Sequence, residues 1–338
     1  MSFARFVVKE MKPKPAVLLV EKIHPTFMAK LEKKARVVRP LAHDEATLAS
    51  VAGGEKVDAI VIRTSGCVSR RVIEASPNLK VVARHGIGVE HIDIPAATER
   101  GVWVVNTPGA SRVAASEHTW AMILALAKKI TWGDRAVRSG NFVFRNHNKA
   151  LQLEGKTLGI IGLGRIGSTV GEIAVRAFGM KLLYTDLVKY PGKERLLSAK
   201  KVPLRTLLSK SDIVSIHTPL DESTRGLIGA RELAWMQPHA FLVNCARGAI
   251  VDAAAVAKAL TADKLGGAAF DVFDPEVPGS DHPLLNCDRA VLSPHFAAQT
   301  PEANVGYAAV VDDVLRVLAG KRPQWPLNEV KAARNERG

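Results

Sequence analysis

The sequence has few cysteines, no long apolar run and no acidic excess. Its three cysteines, Cys67, Cys245 and Cys287, are an odd number at wide spacings without a CxxC pair. This usage suits a reducing compartment and argues against a structural zinc site, so we expect no bound metal. No apolar run approaches the ~18 residues that span a bilayer, and residues 1–15 lack the apolar core and cleavage site of a secretion signal. We therefore expect a cytoplasmic protein without a membrane partner.

The charge balance is strongly basic, with 47 Lys and Arg against 33 Asp and Glu and a formal net charge of +14. Such an excess can indicate nucleic-acid binding. The basic residues are nevertheless dispersed, and no basic segment interleaved with aromatics and no helix-turn-helix signature is present. We therefore expect no nucleic-acid partner but a solvated basic surface that also attracts anionic ligands.

The length of 338 residues predicts roughly two domains. Short β-branched runs that are almost entirely apolar alternate with helical patterns, which is typical of parallel sheets covered by helices on both faces. The sequence thus predicts an α/β fold with two doubly wound parallel sheets. The predicted strands are 16–20, 36–38, 58–63, 80–83, 102–106, 157–161, 181–185, 213–216, 241–244, 268–272 and 290–292.

Two long helices are also predicted. In residues 113–130 an apolar stripe recurs at i, i+3, i+4 and i+7, and Ser111 stands where an N-cap is expected. Residues 302–319 form the final helix, which Gly320 ends. The charged tail at 331–338 is expected to fray.

A glycine pattern follows the apolar run 157–161. In T-L-G-I-I-G-L-G-R-I-G-S, Gly162, Gly164 and Gly167 have the GxGxxG spacing and precede a predicted helix over 168–178 that Gly179 ends. The pattern alone is weak, but its position between a strand and a helix favours a dinucleotide site. Gly162 permits the tight turn, Gly164 lets the backbone approach a pyrophosphate, and Gly167 lets helix and strand pack closely. The helix N-terminus then presents N–H groups to the anion.

Asp186 directly follows the next predicted strand and lies 19 residues beyond Gly167, the last glycine of the pattern. This is close to the ~20 residues expected for the acid that binds a ribose 2′-hydroxyl. A carboxylate there repels a 2′-phosphate, so NAD is favoured over NADP, although the neighbouring Lys189 weakens that preference. The alternative is that Asp186 is a solvated acid in a loop without a role in binding.

Polar residues follow each later strand, where ligands of an open α/β sheet bind. They are Asp186, His217, Arg247, Asp271, Glu276 and His295. We assign His217 to the coenzyme site. Arg247 can bind a carboxylate through two hydrogen bonds, His295 can move a proton near neutral pH, and Glu276 can fix the tautomer of an imidazole.

With a nicotinamide coenzyme, this set fits hydride transfer to a 2-oxo acid. Each residue also has a structural alternative. Arg247 is then an ordinary arginine in a turn, Glu276 is a solvated acid in a loop, and His295 is a histidine at a strand end that is hydrogen-bonded to the backbone. Spacing alone does not show that the three side chains meet.

Several stretches in this order resemble the D-isomer-specific 2-hydroxyacid dehydrogenases, and most closely the short-form D-3-phosphoglycerate dehydrogenases. They cover about residues 15–328 and include H-G-I-G-V-E-H-I-D (85–93), N-T-P-G-A-S-R-V-A-A-S-E-H (106–118), G-K-T-L-G-I-I-G-L-G-R-I-G (155–167), S-D-I-V-S-I-H-T-P-L (211–220), L-V-N-C-A-R-G-A-I-V-D (242–252), F-D-V-F-D-P-E (270–276) and S-P-H-F-A-A-Q-T (293–300). The resemblance implies a Rossmann NAD-binding domain, 109–295, inserted into a flavodoxin-like substrate domain, 1–108 and 296–330, with the cleft between them. It also implies a homodimer formed through the NAD-binding domain, using the helix over 113–130 and the arm over 132–148.

The resemblance further implies roles for individual residues. Arg247 binds the substrate carboxylate and orients the carbonyl, His295 is the acid or base, and Glu276 is its partner. The backbone of Gly86, Ile87 and Gly88 also contacts the carboxylate. The implied coenzyme contacts are Arg165 and Ile166 at the pyrophosphate, Thr218, Cys245 and Ala246 along the coenzyme, and Asp271 at the nicotinamide carboxamide.

The substrate is less well defined, and 3-phosphoglycerate is the leading candidate. Ile87 stands where phosphoglycerate enzymes often carry a small polar residue, and His85 and Ala297 also depart from their pattern. Arg63 occupies a place where such enzymes can contact phosphate, yet relatives acting on other acids keep it. Reduction of glyoxylate or hydroxypyruvate is therefore the closest alternative.

A binding protein that senses NADH, like the family's transcriptional corepressors, is the alternative of another class. The corepressors keep the three catalytic residues, but long disordered extensions are absent from this sequence. The longer phosphoglycerate enzymes append a regulatory domain that binds serine. The 338 residues of this sequence are too few to include such a domain, so we expect no serine feedback.

Overall fold

The computed structural model describes residues 13–63 and 65–330. The chain divides into two compact units: unit 1 comprises Met1–Ala110 and Pro301–Gly338, and unit 2 comprises Ser111–Thr300. Unit 2 is therefore a continuous insertion between two segments of unit 1. The tail predicted at 331–338 lies outside the described residues.

The elements alternate along the chain as the sequence pattern predicts. The strands are β1 (Ala16–Leu19), β2 (Arg36–Val38), β3 (Ala59–Ile62), β4 (Val81–Arg84), β5 (Trp103–Val105), β6 (Thr157–Ile161), β7 (Lys181–Thr185), β8 (Lys200–Lys201), β9 (Ile213–Ile216), β10 (Phe241–Asn244), β11 (Gly267–Phe270) and β12 (Ala290–Leu292). The helices are α1 (Pro25–Lys34), α2 (Glu45–Gly54), α3 (Arg70–Ala75), α4 (Ile94–Glu99), α5 (Arg112–Ala127), α6 (Ile130–Arg138), α7 (Phe144–His147), α8 (Arg165–Phe178), α9 (Pro191–Leu197), α10 (Leu204–Lys210), α11 (Ala230–Leu233), α12 (Ala253–Thr261), α13 (Pro301–Ala308) and α14 (Val310–Leu318).

Unit 1 contains a parallel sheet in the order β2-β1-β3-β4-β5. This is the 2-1-3-4-5 order of flavodoxin-like sheets. The side chains of β1 and β3 are buried throughout. One face packs against α1 and α14, and the other packs against α2, α3 and α4. Burial on both faces explains why these strands are apolar at every position.

Unit 2 contains a parallel sheet in the order β12-β11-β10-β9-β6-β7-β8. Numbered within the unit, this is 7-6-5-4-1-2-3, the Rossmann order with one further strand. The order reverses between β6 and β9, and ligands bind such sheets outside the carboxyl ends of the strands at that point. The predicted α/β class with two doubly wound parallel sheets is confirmed.

Helix boundaries depart from the prediction in three places. The helix expected over 113–130 is two helices, α5 and α6, separated by Lys129 in the left-handed conformation with φ 53°. Ser111 lies at the N-cap of α5, but its side chain makes no capping hydrogen bond. The final helix is likewise divided into α13 and α14. Apolar periodicity continues across both breaks, so the pattern does not reveal them.

Helix α8 begins at Arg165, three residues before the predicted start. Its first turn overlaps the glycine pattern, and glycine lowers the predicted helix propensity there. Strand β8 was not predicted, because two consecutive lysines at a sheet edge lack the β-branched residues typical of strands. Within the described residues, no helix is long and apolar enough to cross a membrane.

His85 is a buried histidine at the end of β4. It is 3% exposed, its ring lies 5.7 Å from that of Tyr307, and its Nδ1 has no hydrogen-bond partner among the described residues. Burial, with a smaller effect of the nearby Arg63 and Arg84, lowers the pKa of His85 from 6.5 to about 4. The ring is therefore neutral in the folded protein near pH 7.

We predict that His85 destabilises the protein in mild acid. The unfolded chain binds a proton at this position below pH 6.5, whereas the folded chain does so only near pH 4. Stability therefore falls as the pH drops through this window, by on the order of 2 kcal/mol at pH 5. Unfolding followed by circular dichroism at pH 7 and pH 5 should show a smaller loss for His85→Phe than for wild type.

The exposed His91 provides the matched control, because His91→Phe should leave the acid loss unchanged. Equal losses in wild type and His85→Phe would refute the buried neutral state of His85.

Candidate active site

The residues predicted for catalysis and coenzyme binding in unit 2 follow neighbouring strands at one edge of the sheet. Parallel pairing sets their carboxyl ends side by side. In sheet order the residues are His295 after β12, Asp271 and Glu276 after β11, Cys245, Ala246 and Arg247 after β10, His217 and Thr218 after β9, the glycine loop after β6, and Asp186 after β7. The fold therefore gathers them at the edge where ligands bind such sheets.

The glycine loop has the shape of a dinucleotide cradle. Gly162 has φ 93°, and a Cβ there would lie 2.8 Å from the carbonyl oxygen of His217. A Cβ on Gly167 would lie 2.1 Å from the carbonyl oxygen of Gly162. A Cβ on Gly164 would meet no atom within 4 Å, so open space lies in front of the helix. Gly164 is also the N-cap of α8 and has no side chain to cap it. This space, followed by Arg165 and Ile166, fits a diphosphate.

Asp186 is hydrogen-bonded to the backbone around the glycine loop. Its Oδ2 accepts from the N–H of Leu163 at 2.8 Å, and its Oδ1 accepts from the N–H of Val188 at 3.1 Å. These bonds hold the carboxylate beside the loop. Its contact with a ribose remains a prediction.

Sequence reasoning missed Lys193, which lies on α9 outside any recognised motif. Its Nζ donates to the carbonyl oxygens of Leu163 at 2.7 Å and Gly164 at 3.1 Å. Burial lowers the pKa of Lys193, and Asp186 opposes that effect. Lys193 therefore ties α9 to the glycine loop beside Asp186.

His217 and Thr218 form the wall next to this loop. The Nε2 of His217 lies 2.8 Å from the Oγ of Ser215, and burial lowers the pKa of His217 to about 4. The imidazole is therefore neutral at pH 7 and adds no positive charge to the site. The hydroxyl of Thr218 is buried and has no hydrogen-bond partner among the described residues. Such an orphaned hydroxyl fits a residue that contacts a bound coenzyme.

The turn after β10 presents Arg247. The side chain of Asn244 closes the turn, because its Nδ2 donates to the Arg247 carbonyl oxygen at 2.9 Å and its Oδ1 accepts from the Ala246 N–H at 3.0 Å. The Nη1 of Arg247 donates to the Ala246 carbonyl oxygen at 2.7 Å. Burial, aided by the charge of Asp271, raises the pKa of Cys245 to about 12. Cys245 is therefore an uncharged thiol.

The turn carrying Arg247 also packs against the segment that leads to Glu276. A Cβ on Gly248 would lie 2.0 Å from the carbonyl carbon of Phe273. Only glycine allows these two backbones to approach so closely. The packing fixes the turns after β10 and β11 relative to each other.

Glu276 and His295 are in direct contact. The Nδ1 of His295 is hydrogen-bonded to the Oε1 of Glu276, which leaves Nε2 as the ring nitrogen available to a substrate. The side chain of His295 is 44% exposed and that of Glu276 is 58% exposed, so both remain accessible. His295 itself has a left-handed backbone with φ 51°. The predicted pairing of these two residues is thus present in the structure.

Asp271 lies beneath this turn and is completely buried. Its carboxylate accepts hydrogen bonds from the Phe296 N–H at 2.8 Å, the Ala297 N–H at 3.0 Å and the Ser293 hydroxyl. The Nε2 of His118 lies 3.2 Å from its Oδ1. Burial alone raises the pKa of Asp271, but these hydrogen bonds outweigh it and hold the pKa below its usual value. The contact of Asp271 with the nicotinamide carboxamide remains a prediction.

In unit 1, the predicted substrate loop follows β4. The Nε of Arg84 donates to the carbonyl oxygen of Gly88 at 2.7 Å, and the Nδ2 of Asn106 donates to that of Ile87 at 2.9 Å. Gly86 has φ 153° and lies over the Arg84 guanidinium, which a Cβ would approach to 3.1 Å. The loop is thus fixed through its carbonyl oxygens, and sequence reasoning missed the arginine that fixes it.

Arg63, the predicted phosphate contact, is also in unit 1. Its Nη2 donates to the Oδ1 of Asn304 at 3.3 Å, and its backbone N–H donates to the Oε2 of Glu21 at 3.0 Å. In the part of the chain that the structure describes, no group of three or more His, Cys, Asp or Glu side chains is placed to hold a metal ion.

Comparison with known proteins supports the expected relationship. Residues 120–297 match the model of the D-isomer specific 2-hydroxyacid dehydrogenase, NAD binding domain. A D-3-phosphoglycerate dehydrogenase of Archaeoglobus fulgidus is 41% identical over 268 residues, which are 78% of this chain and 50% of the relative. A glyoxylate reductase of Korarchaeum cryptofilum is 36% identical over 323 residues, which are 94% of this chain and 96% of the relative. The chain thus spans half the length of the first relative and nearly all of the second.

A solved structure gives the same result. The holo form of D-mandelate dehydrogenase from Rhodotorula graminis superposes with a TM-score of 0.88 at 27% identity, covering 95% of this chain and all of that chain. Residues 120–297, which match the family model of the NAD-binding domain, contain the glycine loop, Asp186 and the three residues predicted for catalysis. The predicted relationship and cofactor are therefore confirmed: the chain belongs to the D-isomer specific 2-hydroxyacid dehydrogenase family, a family of NAD-dependent oxidoreductases, and its cofactor is NAD.

Proposed function

We propose that this protein interconverts a D-2-hydroxy acid and its 2-oxo acid by transferring a hydride between C2 and NAD. The observation that carries the proposal is the hydrogen-bonded pair of His295 and Glu276. These residues follow β12 and β11, and Arg247 follows β10, the next strand of the sheet. A cation for a carboxylate, an accessible imidazole and an acid that orients it are the groups that reduction of a 2-oxo acid requires.

Each protein group has a defined task in this proposal. NAD, when reduced, supplies the hydride that C2 accepts. Arg247 binds the substrate carboxylate and polarises the adjacent carbonyl, in which negative charge develops. The Nε2–H of His295 donates its proton to the carbonyl oxygen, and in oxidation the same nitrogen takes the proton from the hydroxyl. Glu276, hydrogen-bonded to Nδ1, holds the tautomer and the orientation of the ring so that Nε2 faces the substrate.

The residues around the glycine loop hold the coenzyme. We assign the diphosphate to the open space at Gly164 and to the first residues of α8, Arg165 and Ile166. Asp186 binds the adenosine ribose, which favours NAD over NADP. Thr218, whose buried hydroxyl lacks a partner among the described residues, Cys245 and Ala246 line the path to the nicotinamide. His217 lies beside Thr218 in this wall as a neutral group.

In unit 1, we propose that the backbone of Gly86, Ile87 and Gly88 binds the substrate carboxylate. 3-Phosphoglycerate is the first candidate substrate, supported by Arg63 and by the 41% identity to a phosphoglycerate dehydrogenase. Glyoxylate or hydroxypyruvate is the second, supported by the relative named glyoxylate reductase that matches over 94% of this chain.

We also propose a cytoplasmic homodimer formed through unit 2. Apolar side chains on α6 and on the segment leading into α7, among them Val137, Phe142 and Val143, are exposed. Burial of such a patch against a second copy would remove it from water.

The reaction can be tested with a panel of 2-oxo acids: phosphohydroxypyruvate, hydroxypyruvate and glyoxylate. Oxidation of NADH should be faster than that of NADPH. Preference for the phosphorylated acid, together with a selective loss of that preference in Arg63→Ala, identifies the first candidate. Equal use of glyoxylate by wild type and Arg63→Ala favours the second. Binding of NADH without turnover of any acid would reject the enzyme and favour an NADH-sensing binding protein.

We predict that His295→Asn lowers kcat by about 10²-fold or more, because it removes the proton donor. NADH binding, followed by fluorescence, should stay unchanged, because His295 lies outside the glycine cradle. Glu276→Gln should cause a smaller loss of kcat.

The control for this prediction is His239→Asn. His239 also pairs with a carboxylate, Asp212, at 3.0 Å, but both residues precede their strands at the opposite edge of the sheet. Equal kcat values for His295→Asn and wild type would rule out the assigned role.

We predict that Gly164→Ala weakens NADH binding by about tenfold, or ~1.4 kcal/mol, with little change in Tm. Its Cβ meets no protein atom within 4 Å and so occupies coenzyme space. By contrast, Gly167→Ala should lower Tm, because its Cβ would lie 2.1 Å from the Gly162 carbonyl oxygen. Fluorescence titration and thermal unfolding measure the two effects. Normal NADH affinity in folded Gly164→Ala would place the diphosphate elsewhere.

A further inference from the structure

We propose that His118 and Ser293 are positioning residues for the proton-transfer step. Through the buried carboxylate of Asp271 they hold the backbone turn that presents His295. This inference rests on the proposed function for the role of His295 itself. It adds two residues, one on α5 and one directly after β12, that lie outside the predicted catalytic set.

The turn at His295 needs external support because of its backbone conformation. His295 has φ 51°, in the left-handed region that residues with a side chain seldom occupy. Such a conformation is strained and persists only where the surroundings determine it. The N–H of His295 donates to the Asp271 carbonyl oxygen at 2.7 Å and to the Ser293 carbonyl oxygen at 3.1 Å.

The carboxylate of Asp271 fixes the next two residues of the turn. Its Oδ1 accepts from the Phe296 N–H at 2.8 Å, and its Oδ2 accepts from the Ala297 N–H at 3.0 Å. One side chain thus binds two consecutive backbone amides immediately after His295. If the carboxylate shifted, the direction of the His295 side chain would shift with it.

His118 and Ser293 hold that carboxylate in place. The Ser293 hydroxyl donates to Asp271 Oδ1, so its oxygen is free to accept. The Nε2 of His118 lies 3.0 Å from the Ser293 Oγ and 3.2 Å from Asp271 Oδ1. We therefore assign the Nε2–H tautomer to His118, donating to both oxygens. Asp271 is completely buried, and a buried carboxylate requires such donors.

The hydrogen bonds of Asp271 distinguish this role from a coenzyme contact. Oδ1 has three donors and Oδ2 has one, so the side chain is bonded mainly to its own protein. If Asp271 acted by binding the nicotinamide carboxamide, weakening this network would lower kcat only with a coenzyme that carries the carboxamide NH₂ group. A positioning role would make the effect independent of it.

The experiment uses two pairs of variants in the full chain. His118→Met and Ser293→Ala remove a donor, whereas His118→Gln and Ser293→Thr retain one. Hydrogen exchange of the 293–300 peptide, read by mass spectrometry, reports the Phe296 and Ala297 amides without requiring turnover. Steady-state kinetics are measured with NADH and with reduced 3-acetylpyridine adenine dinucleotide, in which a methyl group replaces the carboxamide NH₂. NADH affinity is measured by fluorescence.

In His118→Met and Ser293→Ala, which remove a donor, we expect the Phe296 and Ala297 amides to exchange about tenfold faster than in wild type. Their kcat should fall about tenfold or more with both coenzymes, while NADH affinity and the substrate KM stay within about twofold of wild type. The variants that retain a donor should recover most of kcat and of the amide protection. Absence of turnover in wild type would reject the proposed function, yet the exchange results would still decide whether the network holds the turn.

Two results would overturn the inference. Unchanged exchange at Phe296 and Ala297 in both removing variants would show that His118 and Ser293 do not hold the turn. A loss of kcat seen with NADH but not with the acetylpyridine coenzyme would show that the network acts on the carboxamide.

Discussion

Parallel pairing of β10, β11 and β12 sets the ends of three strands level, and the candidate active site is built on this register. Phe270 pairs with Asn244 on one side and with Leu292 on the other. The ladder then continues beyond the strands, because the Asp271 N–H donates to the Asn244 carbonyl oxygen at 3.0 Å and the His295 N–H donates to that of Asp271 at 2.7 Å. The turns that carry Arg247, Glu276 and His295 leave the sheet from this level edge, and Glu276 and His295 are in contact there despite their separation in sequence.

Burial divides the polar groups of this edge into two kinds. His217 and Cys245 are desolvated, which keeps both uncharged at neutral pH. His295 and Glu276 remain partly exposed and paired. Asp271 is buried as well, but its hydrogen bonds favour the charged form. The edge therefore combines buried uncharged groups, a fixed internal carboxylate and an accessible pair of an imidazole and a carboxylate.

Much of the fold was predictable because its signals are local. The strands β6, β7, β9, β10 and β12 have the predicted bounds, since each is a short apolar run between turn residues. The glycine spacing likewise predicted the tight turn between β6 and α8.

The features that were missed depend on contacts between distant segments. The hydrogen bond between His118 and Ser293 joins residues 175 positions apart. Lys193 reaches the glycine loop from another helix, and no spacing rule relates either pair. The breaks after α5 and α13 were missed because the apolar period continues through them. Local pattern thus gave the strands and the loop, while tertiary packing determined which polar groups support them.

The central claim is that Arg247 and His295 act on one substrate beside the nicotinamide, and a crystal structure with NADH and oxamate tests it most directly. Oxamate resembles a 2-oxo acid but resists reduction. The account predicts its carboxylate on the Arg247 guanidinium, its carbonyl oxygen within hydrogen-bond distance of His295 Nε2, and the diphosphate at Gly164. Oxamate bound away from both side chains, or a coenzyme that does not occupy the glycine loop, would contradict the account.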